Sequence, residues 1–134
     1  MPSVLLAEPN PSVRTTLKAV LEKDSYRVRT ASSYTDAILL LHSEKWELLI
    51  TEVQLEADEL GLKLAQEAKR LKFPPAVFLY TSCPDMEQLR AALALHVDYC
   101  AFKPVEVDEL RNVLRVLVVR RAASAASRLR YVRR

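Results

Sequence analysis

Short apolar runs alternate along this chain with longer stretches whose apolar residues recur at helical spacing. Val4-Leu5-Leu6-Ala7 is an unbroken run of strand length, the pattern of a strand covered on both faces. It stops at Glu8-Pro9-Asn10-Pro11, where Asn10 suits a helix N-cap and Pro11 the first helical position. Val13, Leu17, Val20 and Leu21 give that helix its inward face. Tyr26, Val28 and Thr30 alternate with Arg27 and Arg29, which predicts a half-exposed strand. Residues 33–44 predict a second helix with Ala37, Ile38, Leu40 and Leu41 inward, and Leu48-Leu49-Ile50 a buried strand ending at Thr51-Glu52-Val53. The spacing of Leu60, Leu64, Ala65, Ala68 and Leu71 predicts a helix over 59–72, stopped by Phe73-Pro74-Pro75. Val77-Phe78-Leu79-Tyr80 is a fourth strand ending at Thr81-Ser82, and Pro84-Asp85 opens a helix whose apolar residues are Leu89, Ala92 and Leu93. Tyr99 to Phe102 is a short fifth strand before Lys103-Pro104. The last helix starts near Val105 and turns Leu110, Val113, Leu114 and Leu117 inward.

Five strand–helix units in strict alternation predict an α/β fold: a doubly wound parallel sheet with helices on both faces and right-handed crossovers. One domain over residues 1–121 is expected. A basic tail, 122–134, then either extends the last helix or is disordered.

Composition removes several function classes. Gly61 is the only glycine in 134 residues, whereas a dinucleotide fingerprint or a P-loop needs several so that backbone N–H groups can approach phosphate. No run of about 18 apolar residues is present to span a membrane, and the N-terminus enters a strand without a signal-peptide pattern. Two cysteines, Cys83 and Cys100, read as structural thiols in a reducing, cytoplasmic setting. The net charge of +3 is unevenly spread: six arginines and no acid lie from Arg120 onward, leaving 14 basic against 17 acidic groups before it.

In an open α/β sheet the site lies outside the carboxyl ends of the strands. The residues there are Glu8, Glu52, Thr81 and Lys103: two carboxylates, a hydroxyl and an ammonium converging on one pocket. Carboxylates suit a hard cation such as Mg²⁺, and a lysine with a hydroxyl suits a phosphoryl group. No nucleophile pairs with a histidine base, since His42 and His96 fall at helix ends, and an enzyme is not expected.

These residues carry a resemblance. Through Val4 to Arg14, Trp46 to Leu55, Val77 to Ser82 and Asp98 to Pro104, the chain resembles the receiver domain of two-component response regulators. That implies a flavodoxin-like (βα)5 sheet in the order 2-1-3-4-5. It also implies a phosphorelay site in which a histidine kinase donates phosphate to an aspartate after the third strand, with Mg²⁺ on an acid pair after the first. By the resemblance Glu52 stands at the phosphoacceptor position, and Glu8 is what remains of the acidic pocket. Thr81, Lys103 and Pro104 are the phosphoryl-contact and switch positions, and Cys100 stands where the family has an aromatic switch. Pro9 replaces a metal-binding acid, so the chain is similar to a degenerate pseudo-receiver from which no cofactor is expected. A glutamate carboxylate also sits about an ångström further out than an aspartate's, and misplacement of that size costs phosphoryl transfer about 100-fold. The longer side chain is expected to reach Lys103 instead. The alternative is a receiver still phosphorylated by a histidine kinase with Mg²⁺.

Val116 and Val119 fall off the inward stripe of the last helix, beside Tyr99. In the family, the fourth helix, fifth strand and fifth helix form the output and dimer face. A stand-alone signalling module acting by protein contact through that face, with a homodimer as one form, is the expectation. A reading from another class is a small nucleic-acid-associated protein using the arginine-rich tail. With no reader motif such contact would be electrostatic, and it is not the expected partner class.

Overall fold

The computed structural model describes the chain apart from residues 57–59, 83–84 and 133–134, and side chains as far as Ser124. Five strands and five helices alternate: β1 (Ser3–Ala7), α1 (Pro11–Lys23), β2 (Arg27–Ala31), α2 (Tyr34–Ser43), β3 (Leu48–Glu52), α3 (Leu60–Lys69), β4 (Ala76–Thr81), α4 (Met86–Ala94), β5 (Tyr99–Phe102) and α5 (Val107–Val132). The strands are parallel in the order β2-β1-β3-β4-β5, so the flavodoxin-like topology stands.

β1, β3 and β4 are buried along their whole length, as their continuous apolar runs require for strands covered on both faces. Alternate side chains feed two cores. Leu5, Leu49, Val77 and Leu79 meet Ala37, Leu41, Leu64, Ala65 and Ala92 of α2, α3 and α4. On the other face Val4, Leu6, Ile50, Phe78 and Tyr80 meet Leu17, Leu21, Leu110, Leu114 and Leu117 of α1 and α5.

Local chemistry sets most helix ends. The Asn10 side chain accepts from the Ser12 and Val13 N–H groups, with Pro11 at the first helical position. Ser33 and Asp85 cap α2 and α4 by accepting from Asp36 and Gln88. The indole N–H of buried Trp46 donates to the Leu40 carbonyl at 2.8 Å, which closes the end of α2.

Two expectations need correction. α5 begins at Val107 rather than near Val105: Val105 packs against the core, the Glu106 carbonyl accepts from the Leu110 N–H, and Asp108 and Glu109 suit a first turn. α3 ends at Lys69, three residues short of 72, where Arg70 and Leu71 close i→i−3 bonds onto Glu67 and Ala68. In α4, Gln88 and Ala92 make the buried stripe, and Leu93, one residue round the helix, is 73% exposed.

Candidate functional site

The carboxyl ends of β1, β3, β4 and β5 bring Glu8, Glu52, Tyr80, Thr81 and Lys103 together. Parallel register fixes this, because Glu52 pairs with Tyr80 and Thr81 with Phe102. Both acids are out of solvent: Glu8 is fully buried and Glu52 is 3% exposed. A buried carboxylate must be paired and hydrogen-bonded, and Glu8 is. Its Oε1 accepts from the Tyr80 hydroxyl at 2.8 Å and from Lys103 Nζ at 3.0 Å, and its Oε2 from the Asn10 N–H at 2.8 Å. The Glu8 carbonyl takes the Arg14 guanidinium at 2.8 Å.

Glu52 is less well served. Lys103 Nζ lies 3.7 Å from its Oε2, and that oxygen accepts no hydrogen bond among the described residues. The predicted Glu52–Lys103 pair therefore forms, but the closer partner of the lysine is Glu8. Burial pushes the Glu52 carboxyl above the ordinary range, Lys103 opposes this, Glu8 adds to it, and the Gln54 N–H partly offsets it. Burial also raises the Tyr80 phenol, reinforced by Glu8, so Tyr80 stays a hydrogen-bond donor. The lysine ammonium lies 5.2 Å from the Tyr80 ring centroid, and its backbone N–H donates to the Thr81 carbonyl at 2.9 Å. The Lys103–Pro104 bond is cis, and Thr81 is buried with its own interaction partners.

A raised folded-state pKa means that Glu52 supports the fold fully below the ordinary glutamate range. That support is lost as pH rises through its raised value. Glu52→Gln is therefore expected to gain stability at neutral pH, on the order of 1 kcal/mol, the low end of what an unsatisfied buried group costs. The gain should vanish in acid, and urea unfolding at two pH values measures both.

The donor set does not suit the Mg²⁺ implied by the resemblance. Pro9 has no side-chain ligand atom and its carbonyl faces the Arg14 guanidinium at 3.3 Å, the Glu8 carboxylate accepts from three donors, and a lysine ammonium stands between the two acids. Among the described residues, no three His, Cys, Asp or Glu side chains are grouped to hold a metal ion.

The other predicted residues sit apart from this cluster. Cys100 is half-buried against the α2/α3/α4 core, and burial pushes its thiol up, away from the reactive thiolate. Cys83 lies outside the described residues. The Tyr99 hydroxyl donates to Glu109 at 2.7 Å and its ring stacks on Phe78. Val116 and Val119 are 53% and 63% exposed. Tyr99 and Val116 line one shallow groove of about 300 Å³ between β5 and α5. Sequence reasoning missed Tyr80, which it read only as strand, although a tyrosine ending a fully buried strand needs a partner for its hydroxyl.

A 2-1-3-4-5 sheet with acid, hydroxyl and lysine-proline at its strand ends defines a receiver-type module. The response regulator receiver domain family matches residues 4–115, and the chain belongs to that family of two-component signalling domains. The transcriptional regulatory protein AfsQ1 of Streptomyces coelicolor is 28% identical over 120 residues, covering 90% of this chain and 52% of AfsQ1. The KDP operon transcriptional regulatory protein KdpE of Escherichia coli is 28% identical over 126 residues, covering 94% and 55%. The chain thus spans about half the length of these relatives. A CheY-like receiver domain protein from Methanospirillum hungatei superposes with a TM-score of 0.87 at 18% identity, covering 92% of this chain and 98% of that one. A receiver domain protein from Clostridium thermocellum gives 0.83 at 21%, with the same coverage. These two likenesses concern the fold. No helix among the described residues is long and apolar enough to cross a membrane.

Proposed function

We propose that this chain is a pseudo-receiver: a non-enzymatic signalling module that works by protein contact without phosphorylation of Glu52, in a cytoplasmic setting. One observation carries the reading. Lys103 Nζ lies 3.0 Å from Glu8 and 3.7 Å from Glu52, so the chain's own ammonium supplies the positive charge between the acids. In-line phosphoryl transfer depends on positioning and neutralisation of charge at that point, and here the neutralising group is covalently part of the chain. The site is held in one arrangement rather than switched between two.

The output surface is the face of α4, β5 and α5, with Tyr99, Val116 and Val119 as its centre. Leu93 at 73% and Phe102 at 50% exposure enlarge its apolar area. Apolar side chains grouped on one face point to a protein partner where single ones do not.

Beryllofluoride with Mg²⁺, the phosphoryl mimic, tests the proposal. At low millimolar concentration the amide resonances of Glu52, Thr81 and Lys103 are expected to stay unshifted. Saturable shifts at these three positions would restore the alternative, a receiver that accepts phosphate from a histidine kinase.

A further inference from the structure

At the opposite end of the sheet, about 16 Å of strand away from Thr81, a second concavity of about 380 Å³ lies between α5 and the segment joining α3 to β4. Its apolar walls are Phe73, Pro74, Pro75 and Leu117, and its charged rim is Lys69, Arg120 and Arg121. The one acid lining it, Asp98, is already satisfied: it takes Lys69 Nζ at 3.1 Å and the Val77 N–H at 2.7 Å. Arg121 is held in place by donating to the Pro74 carbonyl at 2.9 Å. Arg120 is exposed and has no side-chain partner among the described residues. Two more cations gather at the aromatic ring, with Lys45 Nζ 4.3 Å and Lys72 Nζ 5.6 Å from the Phe73 centroid.

The hollow therefore sets Arg120, Arg121, Lys45 and Lys72 around a phenylalanine that keeps 49% of its surface exposed, while Lys69 is paired with Asp98. An aromatic platform set among cations is the arrangement that takes single-stranded nucleic acid: the bases stack on the ring and the phosphates lie on the cations. We propose that the hollow formed by Phe73, Pro74, Arg120 and Arg121 is a binding site for single-stranded nucleic acid, independent of the Glu52 site. Charge complementarity favours this occupant: Arg120, Arg121, Lys45 and Lys72 surround the hollow and its ring, and Asp98 is already paired with Lys69. A single strand brings both bases for the Phe73 and proline walls and phosphates for the cations, and a flat bilayer does not enter a concavity.

Fluorescence anisotropy of the full chain with a labelled oligothymidylate of about 12 nucleotides tests the site. Affinity is expected to fall steeply between about 50 mM and 200 mM salt. Phe73→Ala should weaken binding about 5- to 150-fold, the worth of one stacked base, without changing the melting temperature. Arg120→Ala with Arg121→Ala should lower the salt slope by about 1.4, at about 0.7 per phosphate contact on a single strand. Absence of binding at the lower salt overturns the proposal. So does binding that Phe73→Ala leaves unchanged, which is bare polyelectrolyte attraction. Equal or tighter binding to polyglutamate, or to phosphatidylglycerol vesicles, assigns the surface to another class of partner and overturns it as well.

Discussion

Replacing Lys103 with methionine is expected to destabilise the domain by about 3–5 kcal/mol at neutral pH, the cost of leaving a buried charge without its partner. Glu8 is fully buried, and among the described residues its Oε1 has only Lys103 and the Tyr80 hydroxyl as donors. Glu52, 3% exposed, has Lys103 as its paired cation. Without the ammonium, two buried carboxylates face each other and the ionised form of each is disfavoured. Stability of the variant should then recover as pH falls, because protonation removes the unpaired charges. Urea unfolding at pH values on either side of the carboxylate range reads this directly. Adding Glu52→Gln to Lys103→Met should restore part of the loss, since one of the two uncompensated charges is gone and the effects of neighbours in one network are not additive. A Lys103→Met variant that loses under about 1 kcal/mol, equally at both pH values, would mean that the carboxylates are screened by water and the network is not a stabilising unit.

The fold was legible because its signals are redundant. Three buried strands appear as unbroken apolar runs, the turns between elements carry proline, asparagine or serine, and the order of strand-end residues matches one family throughout. The direction of Leu93 was not legible, because an apolar residue beside the core stripe looks the same in sequence as one within it. Only the wheel position of Gln88 and Ala92 separates them. At the site, the residue types and their convergence were visible but the pairing was not. Glu8 follows β1 and Glu52 ends β3, and Lys103 reaches both from beyond β5, so which acid the lysine prefers depends on distances of 3.0 and 3.7 Å. Spacing along the chain does not encode that difference. Tyr80 escaped for the same reason: its hydroxyl partner is 72 residues away. The basic hollow combines the α3–β4 segment with α5, and no local pattern links Phe73 to Arg120.

Gly61→Ala is expected to cost about 3 kcal/mol, the upper part of the range for overpacking, although the same change in an exposed helix would gain about 1 kcal/mol in helix propensity. The sign is decided by what a methyl group would meet. A Cβ at position 61 would lie 1.8 Å from the Glu52 carbonyl oxygen and 2.8 Å from both its carbonyl carbon and the Val53 Cα. These are backbone atoms of β3 and the residue after it, not flexible side-chain ends, so the neighbours cannot give way cheaply. The glycine is needed for close approach and not for an unusual conformation, since no glycine here has positive φ. Its N–H donates to the Val53 carbonyl at 2.9 Å, which seats the first turn of α3 on the strand end that carries Glu52. An added methyl group must therefore lift α3 or push the Glu52 backbone, and the second movement disturbs the contact between Glu52 and Lys103. Equilibrium unfolding in urea should show the loss, and amide shifts at Glu52 and Lys103 should accompany it. A Gly61→Ala protein as stable as the parent would show that α3 can move off β3 without cost, and that the lone glycine of this sequence does not hold the site in place.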